Sequence, residues 1–114
     1  MGKDDDMRVA VPVTADGQVD PRWGRADRVA VADVIDGAVS SWAVFDVGWN
    51  TLHDQGSEGS HHARIARFLR EHGIEAIAVD HVGAGMHRML PSMGVRIADG
   101  LVGDARDAAR AAAA

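Results

Sequence analysis

The sequence predicts one α/β domain: a five-stranded mixed sheet, with strands 1–3 in an antiparallel meander and strands 4–5 parallel to strand 1, carrying about three helices. Three observations predict it. Residues 8–13, 28–35 and 38–47 are short β-branched runs bounded by polar or glycine-containing stretches, which suits strands better than helices. Asp36-Gly37 between the second and third runs is a hairpin signal. Further along, segments with helical apolar spacing alternate with short strands, and right-handed crossovers through those helices make the later strands parallel to the first.

Bulk properties narrow the function classes. A chain of 114 residues suits one modest core. Its net charge of -5, with no long Lys/Arg run, argues against nucleic acid or an anionic membrane as partner. No apolar run is long enough to span a bilayer and no signal-peptide pattern is present, so the cytoplasm is the expected location. Cysteine is absent, which excludes disulfides and thiolate ligation of a metal. Any metal must be held by His, Asp/Glu, Met or backbone.

Taken in order, residues 1–6 have no apolar periodicity and read as a disordered leader, leaving 7–114 as the domain. The first strand, 8–13, ends near Pro12, which cannot donate a ladder hydrogen bond. Residues 14–27 are loop, with turn signals at Asp16-Gly17 and Asp20-Pro21, and they carry Arg22 and Trp23. After the hairpin, residues 48–60 form a long loop that starts with Trp49. The stretch 53–62 contains His53, His61 and His62 and no apolar side chain, so it belongs at the surface. A helix over 61–72 follows, capped by Ser57 or Ser60, with Ile65, Phe68 and Leu69 on its buried stripe and Arg64, Arg67 and Arg70 toward water. Gly73 ends it. A fourth strand, 74–79, leads through Asp80-His81-Val82-Gly83-Ala84-Gly85 into a short helix over 84–89, expected to stop or bend at Pro91. Residues 95–98 are the fifth strand. Residues 102–114 are a helix by alanine content, with little apolar surface to bury.

This topology brings the loops after strands one, three and four to one rim, the carboxyl end of the parallel strands, where α/β folds place ligands. The rim carries Arg22, Trp23, Trp49, His53, His61, His62, His81 and His87, with His72 alone at the other end. Neutral imidazole binds borderline metals such as Cu, Zn, Ni and Fe. Adjacent helical residues point about 100° apart, so His61 and His62 do not chelate one ion together. His81 with one of that pair, completed by His53 or His87, makes a three-nitrogen site with an open position. Gly83 and Gly85 let a ligand approach the backbone, and helix N-termini at this rim favour anions. The spacing of Met86, Met89 and Met93 favours core packing over thioether ligation.

Several motifs resemble the dinitrogenase iron–molybdenum cofactor biosynthesis domains: Met7-Arg8-Val9-Ala10-Val11-Pro12-Val13, Trp23-Gly24-Arg25-Ala26, Val82-Gly83-Ala84-Gly85 and Gly94-Val95-Arg96-Ile97. The resemblance implies a ribonuclease-H-like domain that carries or inserts a metallocluster. Relatives typically carry His-Phe-Gly where this chain has Arg22-Trp23-Gly24, and a Gly-rich stretch where it has Ser60-His61-His62. One histidine is thus exchanged for several at the same rim, which favours a simpler, histidine-bound metal.

Three functions follow as expectations. The first is a carrier for a transition metal ion (Cu, Zn, Ni or Fe) or a metal–sulfur cluster, served by a donor or acceptor protein. The second is a small three-histidine mononuclear metalloenzyme, and the third a metal-free small-ligand or partner-binding module. A two-metal nuclease is disfavoured because the first strand has no Asp or Glu. No nucleophile-elbow motif supports a hydrolase built on Ser60, His81 and Asp80.

Overall fold

The computed structural model describes residues 6–52 and 54–114. The elements run β1 (Met7–Val13), a 3-10 turn (Trp23–Arg25), β2 (Arg28–Ile35), β3 (Ala38–Asp46), α1 (Trp49–Leu52), α2 (Glu58–Glu71), β4 (Ala76–Ala78), α3 (Ala84–Ser92), β5 (Arg96–Ala98) and α4 (Ala105–Ala113). The sheet order is β3-β2-β1-β4-β5. β1 pairs antiparallel with β2 and parallel with β4, and β4 pairs parallel with β5, as the crossover argument requires. The β2–β3 hairpin turns on Asp36 (φ 52°) and Gly37 (φ 80°), both left-handed as a two-residue primed turn demands. β1 lies at the centre, and Val9, Ala10 and Val11 are fully buried.

Helices cover both faces. α4 packs on β1 and β4. Its alanines at 105, 108, 109, 112 and 113 recur at helical spacing and are all buried against Val9, Val11, Ala30, Ala32, Val34 and Ala76. The expectation that this helix buries little is therefore corrected: a methyl stripe lets the helix axis come close to the sheet, so small side chains suffice. The other face takes α2 and α3, with Ile65, Leu69, Met86 and Leu90 packed on Ala10, Val31, Ile77 and Val79.

Both helices of that second face end in the same way. Gly73 (φ 63°) follows α2, with Ile74 N donating to Leu69 O and Gly73 N to Arg70 O. Gly94 (φ 78°) follows α3, with Val95 N donating to Leu90 O and Gly94 N to Pro91 O. These paired bonds are Schellman closures that turn the chain into β4 and β5. α3 therefore runs through Pro91 to Ser92 and does not stop before it. The proline sits in the last turn, so the helix forgoes the single bond that its nitrogen would have donated to the turn before and then closes at Gly94.

The expected long loop is also shorter than its polar sequence suggests. Trp49–Leu52 is helical, Ser57 caps α2 through a 3.0 Å bond from Ser60 N to its Oγ, and Glu58, Gly59 and Ser60 form the first turn. Residues 1–5 of the expected leader and His53 lie outside the described residues. Asp6 accepts a bond from Asp36 N at 3.1 Å. Among the described residues no helix is long and apolar enough to cross a membrane.

Candidate functional site

Three segments meet at the carboxyl end of the parallel strands and leave a groove of about 560 Å³ between them. The first is the turn after β1. Val13 bridges Val19, and Asp20 N donates to Pro12 O at 2.8 Å, folding residues 14–20 back on the strand. Asp20 is buried and its carboxylate takes three bonds from Arg22: backbone N at 2.9 Å, Nε at 3.1 Å and Nη2 at 3.1 Å. A fork–carboxylate pair of this kind fixes direction as well as charge. These hydrogen bonds, then the Asp20 charge, raise the Arg22 pKa above its ordinary value. The 3-10 turn follows with Trp23 buried beneath the groove and Arg25 exposed at its edge. Arg25 has no ion-pair partner among the described residues.

The second wall is the first turn of α2, with Glu58, His61 and His62. The third is the strand-to-helix connection after β4, with His81, Val82 and Gly83 leading into Ala84, Gly85 and Met86. Gly83 is the N-cap of α3 and provides no side-chain cap, so the first amides of that helix are left for solvent or a ligand. Two helix N-termini thus open on one groove, with their partial positive charge.

The expected site residues separate sharply. His62 and His81 line the groove, as do Arg22, Trp23, Gly83 and Gly85. His62 lies against α3: a Cβ built on Gly85 would fall 2.6 Å from its Cε1. Its Nε2 is 3.8 Å from the Glu58 carboxylate one turn earlier. His81 is the open histidine, 73% exposed, with Nδ1 3.9 Å from Asp80 Oδ2. His61 also lines the groove but is buried, and both of its ring nitrogens are engaged: Nε2 at 2.7 Å from Gly24 O and Nδ1 at 2.7 Å from Arg64 Nη1. His87 does not line the groove and stands 3.9 Å from Asp99 Oδ2. Trp49 lies under the wall, not on it, edge-on to Trp23 at 5.3 Å and to Phe68 at 5.6 Å. Among the described residues no three His, Asp or Glu side chains converge as metal ligands.

Arg64 and Arg25 are the contributions that sequence reasoning missed. Arg64 was expected in water; instead its Nη1 reaches His61 and, at 3.1 Å, the carbonyl of Leu52. A signal existed. His61 precedes Ile65 and Leu69 by one and two helical turns, so it sits on the buried stripe, and Arg64 follows it at the i+3 position.

Comparison with known proteins accords with this architecture. The family model for the dinitrogenase iron-molybdenum cofactor matches residues 6–114. No curated relative matches significantly. Among solved structures, PH0822 superposes with a TM-score of 0.72 at 22% identity, covering 92% of this chain and 88% of its own. The apo form of the orange protein from Desulfovibrio gigas gives 0.67 at 24% identity, with coverage of 89% and 81%. A putative NifB protein from Thermotoga gives 0.65 at 23% identity, with coverage of 90% and 83%. At these identities the likeness is one of fold.

Proposed function

The chain belongs to the dinitrogenase iron-molybdenum cofactor family, and from that premise we propose that it is a cytoplasmic carrier for an anionic metal–sulfur cluster or metal species, held in the groove and passed between a donor and an acceptor protein. One observation carries the reading: the N-termini of α2 and α3, with Arg25, which has no ion-pair partner among the described residues, converge on a single groove that also presents the imidazoles of His62 and His81.

The donor set supports cargo over a resident cofactor. Metal–sulfur species carry negative charge on their sulfides, and helix amides with a guanidinium match that charge. Cysteine is absent, so no thiolate anchors the cluster permanently. His62 and His81 are suited to give one or two coordinate bonds, enough to orient a cluster yet few enough to release it. Arg22 lines the same groove but is neutralised by Asp20, so its role is to shape the wall. Among the described residues a three-histidine enzyme site finds no such support, because His61 is committed elsewhere and His87 points to Asp99.

The test uses untagged protein under anaerobic conditions, with tetrathiomolybdate as the anionic probe and Zn²⁺ as the plain cation. Stable, saturable retention of the thiometallate after gel filtration is expected, with weaker retention in the His62→Ala/His81→Ala double variant. No retention of either probe by wild type would sink the carrier reading. Retention of Zn²⁺ alone, lost in the double variant, would replace the cluster with a simple histidine-bound ion.

A further inference from the structure

We infer that His61 is a positioning residue of this groove, locked in one tautomer between Arg64 and the Gly24 carbonyl, and that its ring ties the Trp23–Arg25 wall to α2; that the wall serves a metallocluster rests on the carrier reading above, whereas the tie itself does not. His61 enters from the first turn of α2 and is 6% exposed. The two partners described at its nitrogens leave the ring no choice of tautomer. A guanidinium only donates, so Nδ1, at 2.7 Å from Arg64 Nη1, must present its lone pair. A carbonyl only accepts, so Nε2, at 2.7 Å from Gly24 O, must carry the hydrogen. Neutral imidazole with the proton on Nε2 satisfies both. Arg64 Nη1 also donates to Leu52 O at 3.1 Å, at the end of α1.

One His–Arg pair on α2 therefore fastens two other segments, the 3-10 turn and the end of α1. Among the described residues no backbone hydrogen bond joins the Trp23–Arg25 turn to α2. Their connection rests on this ring and on apolar packing: Trp23 against Trp49 at 5.3 Å, Trp49 against the His61 ring at 6.5 Å, and Ile65 of α2, whose Cδ1 lies 3.8 Å from where a Cβ on Gly24 would stand. Arg25, which faces the groove from the same turn, takes its place from that anchorage. A wall fixed before the cargo arrives lowers the ordering cost of binding.

Three variants and three kinds of readout test this. His61→Phe keeps a flat buried ring but strands the Gly24 carbonyl and Arg64. His61→Gln can still donate to that carbonyl and is the conservative rescue. Arg64→Met removes the donor to Nδ1 and leaves His61 in place, so it keeps the idea testable should His61→Phe fold poorly. Imidazole ¹⁵N shifts of unloaded wild type are expected to show the single Nε2–H tautomer with Nδ1 shifted as a hydrogen-bond acceptor, and Arg64→Met to lose that Nδ1 shift while the Gly24 carbonyl still holds the hydrogen on Nε2. Amide exchange over residues 23–26 should speed up about tenfold in His61→Phe, the equivalent of one lost hydrogen bond, and return toward wild type in His61→Gln. Thiometallate affinity should fall with it by about the same factor. Unchanged exchange in both His61→Phe and Arg64→Met overturns the tie. So does a ¹⁵N shift showing metal on His61 in the loaded protein, which would make it a ligand. Wild type that retains no thiometallate overturns the carrier reading instead, and tautomer and exchange still decide the tie.

Discussion

On one face of the sheet, Ala105, Ala108, Ala109 and Ala112 of α4 lie against Val9, Val11, Ala30, Ala32 and Ala76; on the other, Trp23, Trp49, Ile65, Leu69, Met86 and Leu90 crowd over Ala10, Val29, Val31 and Ile77. The first face is built from small side chains and reaches close packing by bringing helix and sheet together. The second is built from large ones, which hold two helices farther out. Between the helices, at the carboxyl end of the strands, that spacing leaves the groove. The only buried imidazole among the described residues, His61, is on this second face. The lesson is that the site depends on which face carries the bulk: large side chains prop the helix starts apart, while the alanine face serves as a rigid backing.

The two faces should respond to opposite substitutions. Leu90, fully buried under α3, is the sharpest probe of the bulky face. Leu90→Ala should cost about 2–5 kcal/mol, because the lost methyl groups leave a cavity that two helices cannot both close on. Chemical denaturation checks this; a loss under about 1 kcal/mol would mean that α3 settles onto the sheet and that bulk is not what holds it out.

The alanine face should fail in the other direction. Ala109 is fully buried between α4 and the sheet. Ala109→Leu should destabilise by about 1–3 kcal/mol, since the added atoms can be housed only by lifting the helix. The same chemistry on the bulky face, Met86→Leu, is close to volume-conserving and should cost less than about 1.5 kcal/mol. Equal costs for the two would erase the difference between the faces.

How much of this was legible in the sequence follows from the same contrast. The sheet was readable because β-branched runs and Asp36-Gly37 are local signals, and strand directions follow from the handedness of crossovers. Of the residues expected at the rim, His62, His81, Gly83 and Gly85 line one groove. The alanine helix was undervalued because every residue it buries is an alanine, which is small, and only the helical spacing of Arg106, Asp107 and Arg110 on the outer face shows that those alanines form one stripe. The start of α2 was hidden for a related reason. A first turn of Glu58, Gly59 and Ser60 has no apolar residue to reveal a helix, so capping by Ser57 was the sole clue. The commitment of His61 needed the three-dimensional position of Gly24, which no local pattern supplies.

A third substitution separates groove from core. Gly85 lies in the first turn of α3, and a Cβ there would meet the His62 ring at 2.6 Å. That ring is the outer end of a partly exposed side chain, 27% accessible, so it can swing away. Gly85→Ala should therefore leave the folding stability unchanged or raise it by up to about 1 kcal/mol from helix propensity, while weakening thiometallate retention. Retention equal to wild type would show that the seat of His62 against α3 is immaterial.

The smallest expected effect tests the edge of the sheet away from the groove. Asp33 on β2 accepts from Arg8 on β1 through Nε at 2.9 Å and Nη2 at 3.2 Å, and from Ser41 Oγ on β3 at 2.8 Å. Those hydrogen bonds, from Arg8 first and then Ser41, hold the Asp33 pKa below its ordinary value, against a partial burial that raises it. A carboxylate with a depressed folded pKa stabilises the protein above its unfolded value of about 3.9, and that contribution is lost as pH falls through the folded value. The pair is a third or more exposed on both partners, so solvent screening keeps the effect modest. Asp33→Asn should therefore lower the melting temperature slightly near about pH 6, and the gap to wild type should close as the pH falls below about 4. Three strands share this one carboxylate, so Ser41→Ala should reproduce part of the gap and Arg8→Met most of it. A gap that stays constant on acidification would mean that the asparagine perturbs packing and that the charge of Asp33 contributes nothing.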